Sequence, residues 1–333
     1  MENRIYTIEE VKSEASDFLI NKKKRNNTTY LNYRTSINYF IYYLTDIAKV
    51  NELGAFNKDK ILTGFQATLL EGFNYKVAES ERKIKIKPAA VNTHVRRIRT
   101  FFNKCLGLTV EVDKLKVNKP KYKSLSKEEV ELLASECSNK WKNEEIAKRN
   151  ETLIKFLFNT AFRINEALTL KTANVFSEDG SYYVKIHEKG KASGELTEVA
   201  ISENTYKMLM DYIAIKSVPS DFVFSSIKPS EDGKAKAFNR QNFNKAIISL
   251  ASFVDNEYNN KKLNDKPVNI SKTVENNSSH VFRHSKATYL LNVAKEDVVT
   301  VQKVLRHKNI ESTLIYLNPE EEAINLVRIN NDL

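Results

Sequence analysis

Apolar residues along this chain recur first at helical spacing throughout, then at a mixture of helical and alternating spacing. "TIEEVKSEASDFLI" (7–20) opens with Thr7 and Glu10 at capping-box spacing. "TTYLNYRTSINYFIYYL" (28–44) carries Leu31, Ile37, Ile41 and Leu44 near one face, and "KILTGFQATLLEGF" (60–73) predicts a third helix. In "AAVNTHVRRIRTFFNKCL" (89–106), Val91, Val95, Ile98, Phe102 and Cys105 form an apolar stripe, backed by Thr93, Arg96, Arg97, Thr100 and Lys104. The pattern stops in "EVDKLKVNKPKYKS" (111–124), a polar basic stretch with Pro120, which reads as a linker. It restarts at Ser126 and Glu129, a second capping box, with Leu125 and Val130 placed for a hydrophobic staple. The expected organisation is a helical domain over 1–110, a linker over 111–124 and a second domain over 125–333.

The second domain mixes periods. "NETLIKFLFNTAFRINEALTL" (150–170) is apolar enough for a buried helix pair. Tyr182, Val184 and Ile186 alternate, and Leu196, Val199 and Ile201 follow a glycine-containing bend, which predicts a β-hairpin within 181–201. "NRQNFNKAIISLASFV" (239–254) returns to helix. Residues 255–278 hold seven asparagines and little apolar content, so they read as a long mobile loop. Helices are expected near 284–294 and 296–306, and a last one over 319–331 after Asn318 and Pro319. The fold class is mainly α with a small β-hairpin, an α+β protein.

Composition adds three limits. A hydrophobic content of 41% supports a sizeable core. No apolar run approaches the roughly 18 residues of a membrane span, and the N-terminus lacks the apolar core of a signal peptide. Cys105 and Cys137 are too few for a disulfide framework, which fits a reducing, cytoplasmic setting. Charge is more telling because it is uneven. Residues 1–124 hold 24 lysines and arginines against 13 acids, whereas 125–333 hold 29 of each, so the whole excess of +11 sits in the first third. Such a lobe suits a polyanion.

Candidate chemistry lies near the C-terminus. "SSHVFRHSKATYLL" (278–291) places His280, Arg283 and His284 within five positions. Two histidines four apart could ligate a metal, with His307 third. But no glutamate follows His280, and Arg283 and Arg306 beside the candidates would repel a cation. The arginines point to an anion instead, because a guanidinium presents a planar fork to phosphate oxygens. Arg163, in "TAFRINEAL", sits between two apolar segments, with Glu166 three positions on as an ion-pair partner. Tyr316 lies nine residues after His307 in "LRHKNIESTLIYLN". A tyrosine serves as a nucleophile where neighbours stabilise its oxyanion and the charge at the reaction centre.

Arg with Glu at +3, then His-x-x-Arg-His, then Leu-x-His with Tyr nine positions on, resembles the ordered signature of tyrosine recombinases, the lambda-type integrase and Xer group. The resemblance covers nearly the whole chain. It implies a helical core-binding domain over 1–110, a catalytic domain over 125–333, and a C-shaped clamp on DNA. It implies that Tyr316 attacks the scissile phosphate to give a 3′-phosphotyrosyl link. Arg163 and Arg283 would bind the non-bridging oxygens, His280 would serve in proton transfer, and His307 would hydrogen-bond the phosphate. Lys189, or else Lys191, would protonate the leaving 5′-oxygen, while Glu166 and His284 would support the others. No metal or other cofactor is implied. Implied partners are duplex DNA carrying a specific site, a homotetramer on two such sites with exchange of the 319–331 helix, and accessory DNA-bending or directionality proteins. The enzyme would be nucleoid-associated. Thr93, Arg96, Arg97, Thr100 and Lys104, with Lys121 and Lys123 of the linker, are the expected DNA contacts. Departures from the pattern are Phe162 and Arg306, each where glycine is common, a longer hairpin bend and an extended 255–278 segment. The expected role is integrase or transposase of a mobile element. The alternatives are Xer-like resolution of chromosome dimers, a type IB topoisomerase or a silent DNA-binding relative.

Overall fold

The computed structural model describes residues 4–25, 27–117, 123–188, 195–258, 262–263, 266–267 and 269–317. The chain divides into two compact units, Met1–Pro120 and Lys121–Leu333.

The first unit is helical with two small antiparallel pairs. Strand β1 (Tyr6–Thr7) pairs with β2 (Glu52–Leu53). Helix α1 (Ile8–Arg25) starts where expected, because the Thr7 N–H donates to Glu10 Oε2 at 2.8 Å and the Glu10 N–H donates to Thr7 Oγ1 at 3.3 Å. Helix α2 (Asn27–Tyr42) runs into a π-helical turn at Tyr43–Ile47. Helix α3 (Lys58–Glu71) packs on α4 (Pro88–Phe101), whose Pro88 occupies the first turn, where no intrahelical N–H is needed. Between them lies a hairpin that helical periodicity missed, β3 (Phe73–Val77) with β4 (Ser80–Ile84). The core is the predicted stripe of α4, Val91, Val95 and Ile98 with Phe101 and Phe102, packed with Phe40, Leu44, Leu62 and Phe65. Leu108 and Val110 are buried in the same core. The polar stretch after them is held to this unit as far as Leu115: Gln66 Nε2 donates to the Asp113 carbonyl, and the Leu115 N–H donates to Asn92 Oδ1, both at 2.9 Å.

The second unit begins with α5 (Lys127–Ser135), closed by the Ser126–Glu129 capping box. Short α6 (Cys137–Lys140) leads into α7 (Glu144–Thr160), the central helix, whose Leu153, Ile154, Phe156 and Leu157 are fully buried. Helix α8 (Ile164–Leu168) follows after three residues. A three-stranded antiparallel sheet comes next, β5 (Val175–Glu178), β6 (Ser181–Ile186) and β7 (Thr197–Ile201). Its first turn is Asp179-Gly180, both at positive φ (47° and 74°), which makes β5 an extra strand beside the predicted hairpin. Helices α9 (Glu203–Ala214) and α10 (Arg240–Glu257) continue the core. The reading of 255–278 as one mobile loop is corrected. Two-residue strands β8 (Lys262–Leu263) and β9 (Lys266–Pro267) pair, and α11 (Ser271–Asn277) follows, with Ile270 and Val274 fully buried. Asp255 pins this return by accepting the N–H groups of Ile270 and Ser271 at 2.8 and 2.9 Å. Helix α12 (His280–Thr288) begins four residues before the expected 284 and ends in a π-helical turn at Tyr289–Val293. Helix α13 (Val298–Leu305) is capped by Asp297, and α14 (Glu311–Leu314) precedes Tyr316. The proposed 319–331 helix lies outside the described residues. Among the described residues no helix is long and apolar enough to cross a membrane.

Candidate active site

The end of α7 sets the first arginine. Ala161 turns the chain in the left-handed region (φ 53°), Phe162 is buried, and Arg163 stands extended at the N-cap of α8. Its N–H donates to Glu166 Oε2 and its Nη1 to Glu166 Oε1, each at 2.9 Å. Glu166 is buried and also receives Arg306 Nη2 at 2.9 Å, so one carboxylate joins two guanidiniums. Burial would raise this carboxyl. The Arg163 N–H, the Arg306 charge and the Arg163 side chain outweigh it and hold the group below the usual carboxylate range.

Arg283 enters from α12 and is almost fully buried. Nη1 donates to the Ala161 carbonyl at 2.6 Å, and Nη2 donates to the Leu305 carbonyl. The guanidinium therefore ties the turn after α7 to the end of α13. Burial, then the charges of Arg163 and Arg306, pull it down to about 10, which leaves it cationic at neutral pH.

Tyr316 lies among Ala161, Ala287, Leu291, Val301 and Leu305. Its backbone is held at both ends: its N–H donates to the Thr313 carbonyl at 3.1 Å and its carbonyl accepts Asn292 Nδ2 at 3.3 Å. The hydroxyl is 2.7 Å from His284 Nδ1. The His307 ring is stacked toward the tyrosine, with centroids 6.4 Å apart and planes 17° apart, and its Nδ1 is 2.9 Å from Thr313 Oγ1. Thr313 thus sets the histidine ring and, through its carbonyl, the tyrosine backbone. With Thr313 at Nδ1, the Nε2 edge of His307 is left for an anion. Burial lowers His284 to about 4, with His280 and Arg283 adding to it. Burial, then Arg283 and Arg163, lower His307 to about 4. Both imidazoles are therefore neutral at pH 7, and His284 can accept a proton from the phenol.

Arg163, Glu166, Arg283, His284, His307 and Tyr316 thus fall in one cluster. His280 adjoins it, with its ring centroid 6.3 Å from that of His284. Lys189, Lys191 and Lys121 lie outside the described residues. Of the residues expected to meet DNA from α4 and the turn after it, Arg96 and Lys104 are exposed. Arg97 is instead half-buried and donates Nη1 to Ser36 Oγ at 3.2 Å, beside His94, so it is partly spent on its own unit. Thr93 and Thr100 turn their hydroxyls back on the carbonyls of Ala89 and Arg96. Lys123 is exposed.

Residues 123–323 match the model of the phage integrase family. The chain belongs to that family. These proteins are tyrosine recombinases, and the curated relatives bear it out. The chain is 23% identical over 323 residues to tyrosine recombinase XerC of Rickettsia bellii, covering 93% of this chain and 92% of that one. It is 26% identical over 201 residues to tyrosine recombinase XerH of Helicobacter pylori, covering 60% of this chain and about half, 49%, of the relative. Among solved structures, the Tn1549 transposon integrase bound to transposon right end DNA superposes with a TM-score of 0.65 at 13% identity, over 98% of this chain and 100% of that one.

What the sequence did not disclose is how its two departures meet. Arg306 lies over the Phe162 ring at 4.4 Å while bonded to Glu166. Each stood out only as a missing glycine, and nothing in their separate positions showed that they touch. Thr313 was also missed, although its place six residues after His307 and three before Tyr316 was a usable signal.

Proposed function

We propose that this protein is a site-specific DNA recombinase in which Tyr316 attacks a scissile phosphate. The observation that carries the reading is the Tyr316 hydroxyl, 2.7 Å from a neutral imidazole and close to the buried guanidinium of Arg283, with half-buried Arg163 in the same cluster. As the Oη–P bond forms, the phenol proton passes to His284 Nδ1, with His280 next in line as the outward relay. Arg163 and Arg283 take the non-bridging oxygens, where negative charge grows, and His307 Nε2 donates to the same phosphate. Such preorganised donors are worth about 10²- to 10³-fold each. The 5′-oxygen leaves with a proton from a lysine, Lys189 or Lys191. The phosphotyrosyl bond retains the energy of the broken phosphodiester, so religation needs no nucleotide.

The basic first unit supplies most of the attraction to DNA. Four protomers assemble on two sites. The role we favour is integrase or transposase of a mobile element. The alternative, Xer-like resolution, is favoured by the near full-length alignment with XerC. The test is incubation of labelled fragments flanking the gene with wild type and with Tyr316→Phe, followed by a detergent quench. A gel-shifted adduct with wild type alone is expected; an adduct with both proteins would remove Tyr316 from its role.

A further inference from the structure

Arg306 is built into the site in a way that its position at a helix end does not require. It is the C-cap residue of α13 and adopts a left-handed conformation, φ 53° and ψ 49°. That region favours glycine and carries a cost for a side chain. Its guanidinium is nonetheless spent inside the protein. Nη2 donates to Glu166 Oε2 at 2.9 Å, Nη1 donates to the Val304 carbonyl at 3.3 Å, and the group lies 4.4 Å from the Phe162 ring centroid. Nε is buried without a hydrogen-bond partner. The aromatic face offsets part of that loss. With its side chain only 11% exposed, Arg306 is poorly placed to bind a phosphate itself.

The consequence falls on Glu166. That carboxylate holds Arg163 through both the backbone N–H and Nη1. Alone, it would neutralise Arg163 and leave Arg283 as the one uncompensated guanidinium of the cluster. With Arg306 sharing Oε2 with the Arg163 N–H, three guanidiniums face one carboxylate and the excess is two positive charges. That matches a phosphodiester whose charge rises from one toward two as a fifth oxygen joins it.

We infer that Arg306, seated on Phe162, is a positioning residue for strand cleavage: it divides Glu166 between two arginines so that Arg163 stays oriented and free to bind phosphate. The inference rests on the reading of Tyr316 as nucleophile. It predicts a defect in cleavage rate rather than in DNA affinity. It also predicts that weakening Glu166 compensates for loss of Arg306.

The test compares Arg306→Gly, Arg306→Lys and the double variant Arg306→Gly/Glu166→Gln with wild type. Glycine suits φ 53°, so the backbone is relieved rather than strained in the first variant. The substrate is any flanking fragment that gives an adduct with wild type. Arg306→Gly should slow adduct formation by about ten- to a hundredfold, the size of effect found when an outer partner of a charged ligand is lost. Gel-shift affinity should stay within about twofold, since the substitution removes no group that binds the DNA backbone. Arg306→Lys should recover part of the rate, and the double variant should be faster than Arg306→Gly alone. A rate unchanged by Arg306→Gly, or a double variant no faster than the single one, overturns the inference. If wild type gives no adduct on any fragment, the reading of the function fails on its own. Inorganic phosphate then serves as the probe: it should raise the thermal midpoint of wild type more than that of Arg306→Gly, and an equal rise overturns the inference.

Discussion

The two units of this protein use charge in opposite ways. Residues 1–124 carry the entire net charge of +11, yet among the described residues their core buries no charged side chain; Ser36 and Gln66 are its buried polar groups. Residues 125–333 are neutral overall but bury Glu136, Arg149, Glu166 and Arg283. Exposed charge is cheap, screened by salt and suited to attracting a polyanion. Buried charge is costly, barely screened and kept only where it is paired or bonded. On the proposed function, net charge marks the unit that attracts DNA, and the buried charges Glu166 and Arg283 mark the site that does chemistry on it.

Removal of one buried charge should have the largest effect. Arg283→Ala leaves the carbonyls of Ala161 and Leu305 without their donor. A buried acceptor left without its donor costs about 1–3 kcal/mol, and adduct formation should fall at least about a hundredfold. Trp141, the single tryptophan, packs against the core of the second unit and reports its urea unfolding directly. An unchanged midpoint would show that the buried charge bears no structural load.

The complementary change is made in the basic unit. Arg96→Ala with Lys104→Ala should leave the Trp141 transition within about 0.5 kcal/mol, as surface substitutions do. DNA binding should weaken, with the slope of log K against log salt falling by about 0.9 for each phosphate no longer neutralised. An unaltered slope would remove these two residues from the interface.

How far the sequence could be read follows from the same division. Both capping boxes, the stripe of α4 and the β6–β7 pair were legible because each is a local pattern with an apolar face. Hairpin β3–β4 was not, since of its strand residues Tyr75 alone is buried and the alternation is masked by charge. Asparagine content hid α11, although Ile270 and Val274 carry its packing. In the site, spacing brought out Arg163, Arg283, His307 and Tyr316 as candidates. It could not show that the phenol meets His284, which depends on how α12 and α14 lie together. Nor could it show that Arg306 and Phe162 touch, being 144 positions apart in the chain.

The smallest effect concerns pH. His284 and His307 are both lowered to about 4 in the fold, so the unfolded chain binds more protons between roughly pH 4 and 6.5. Their contribution to stability is therefore full above pH 6.5 and lost as the pH falls toward 4. His284→Asn and His307→Asn should each flatten the rise of the Trp141 midpoint over that window. A rise as steep as that of wild type would mean the two imidazoles are not held neutral by burial.

On the proposed function, Tyr316 becomes joined to DNA. The most direct test is to trap the adduct on a flanking fragment, digest protein and DNA, and map the nucleotide-bearing peptide by mass spectrometry. A single modified peptide containing Tyr316 is expected, linked to a 3′-phosphate and leaving a free 5′-hydroxyl on the cut strand. Attachment to another residue, or to a 5′-phosphate, would contradict it.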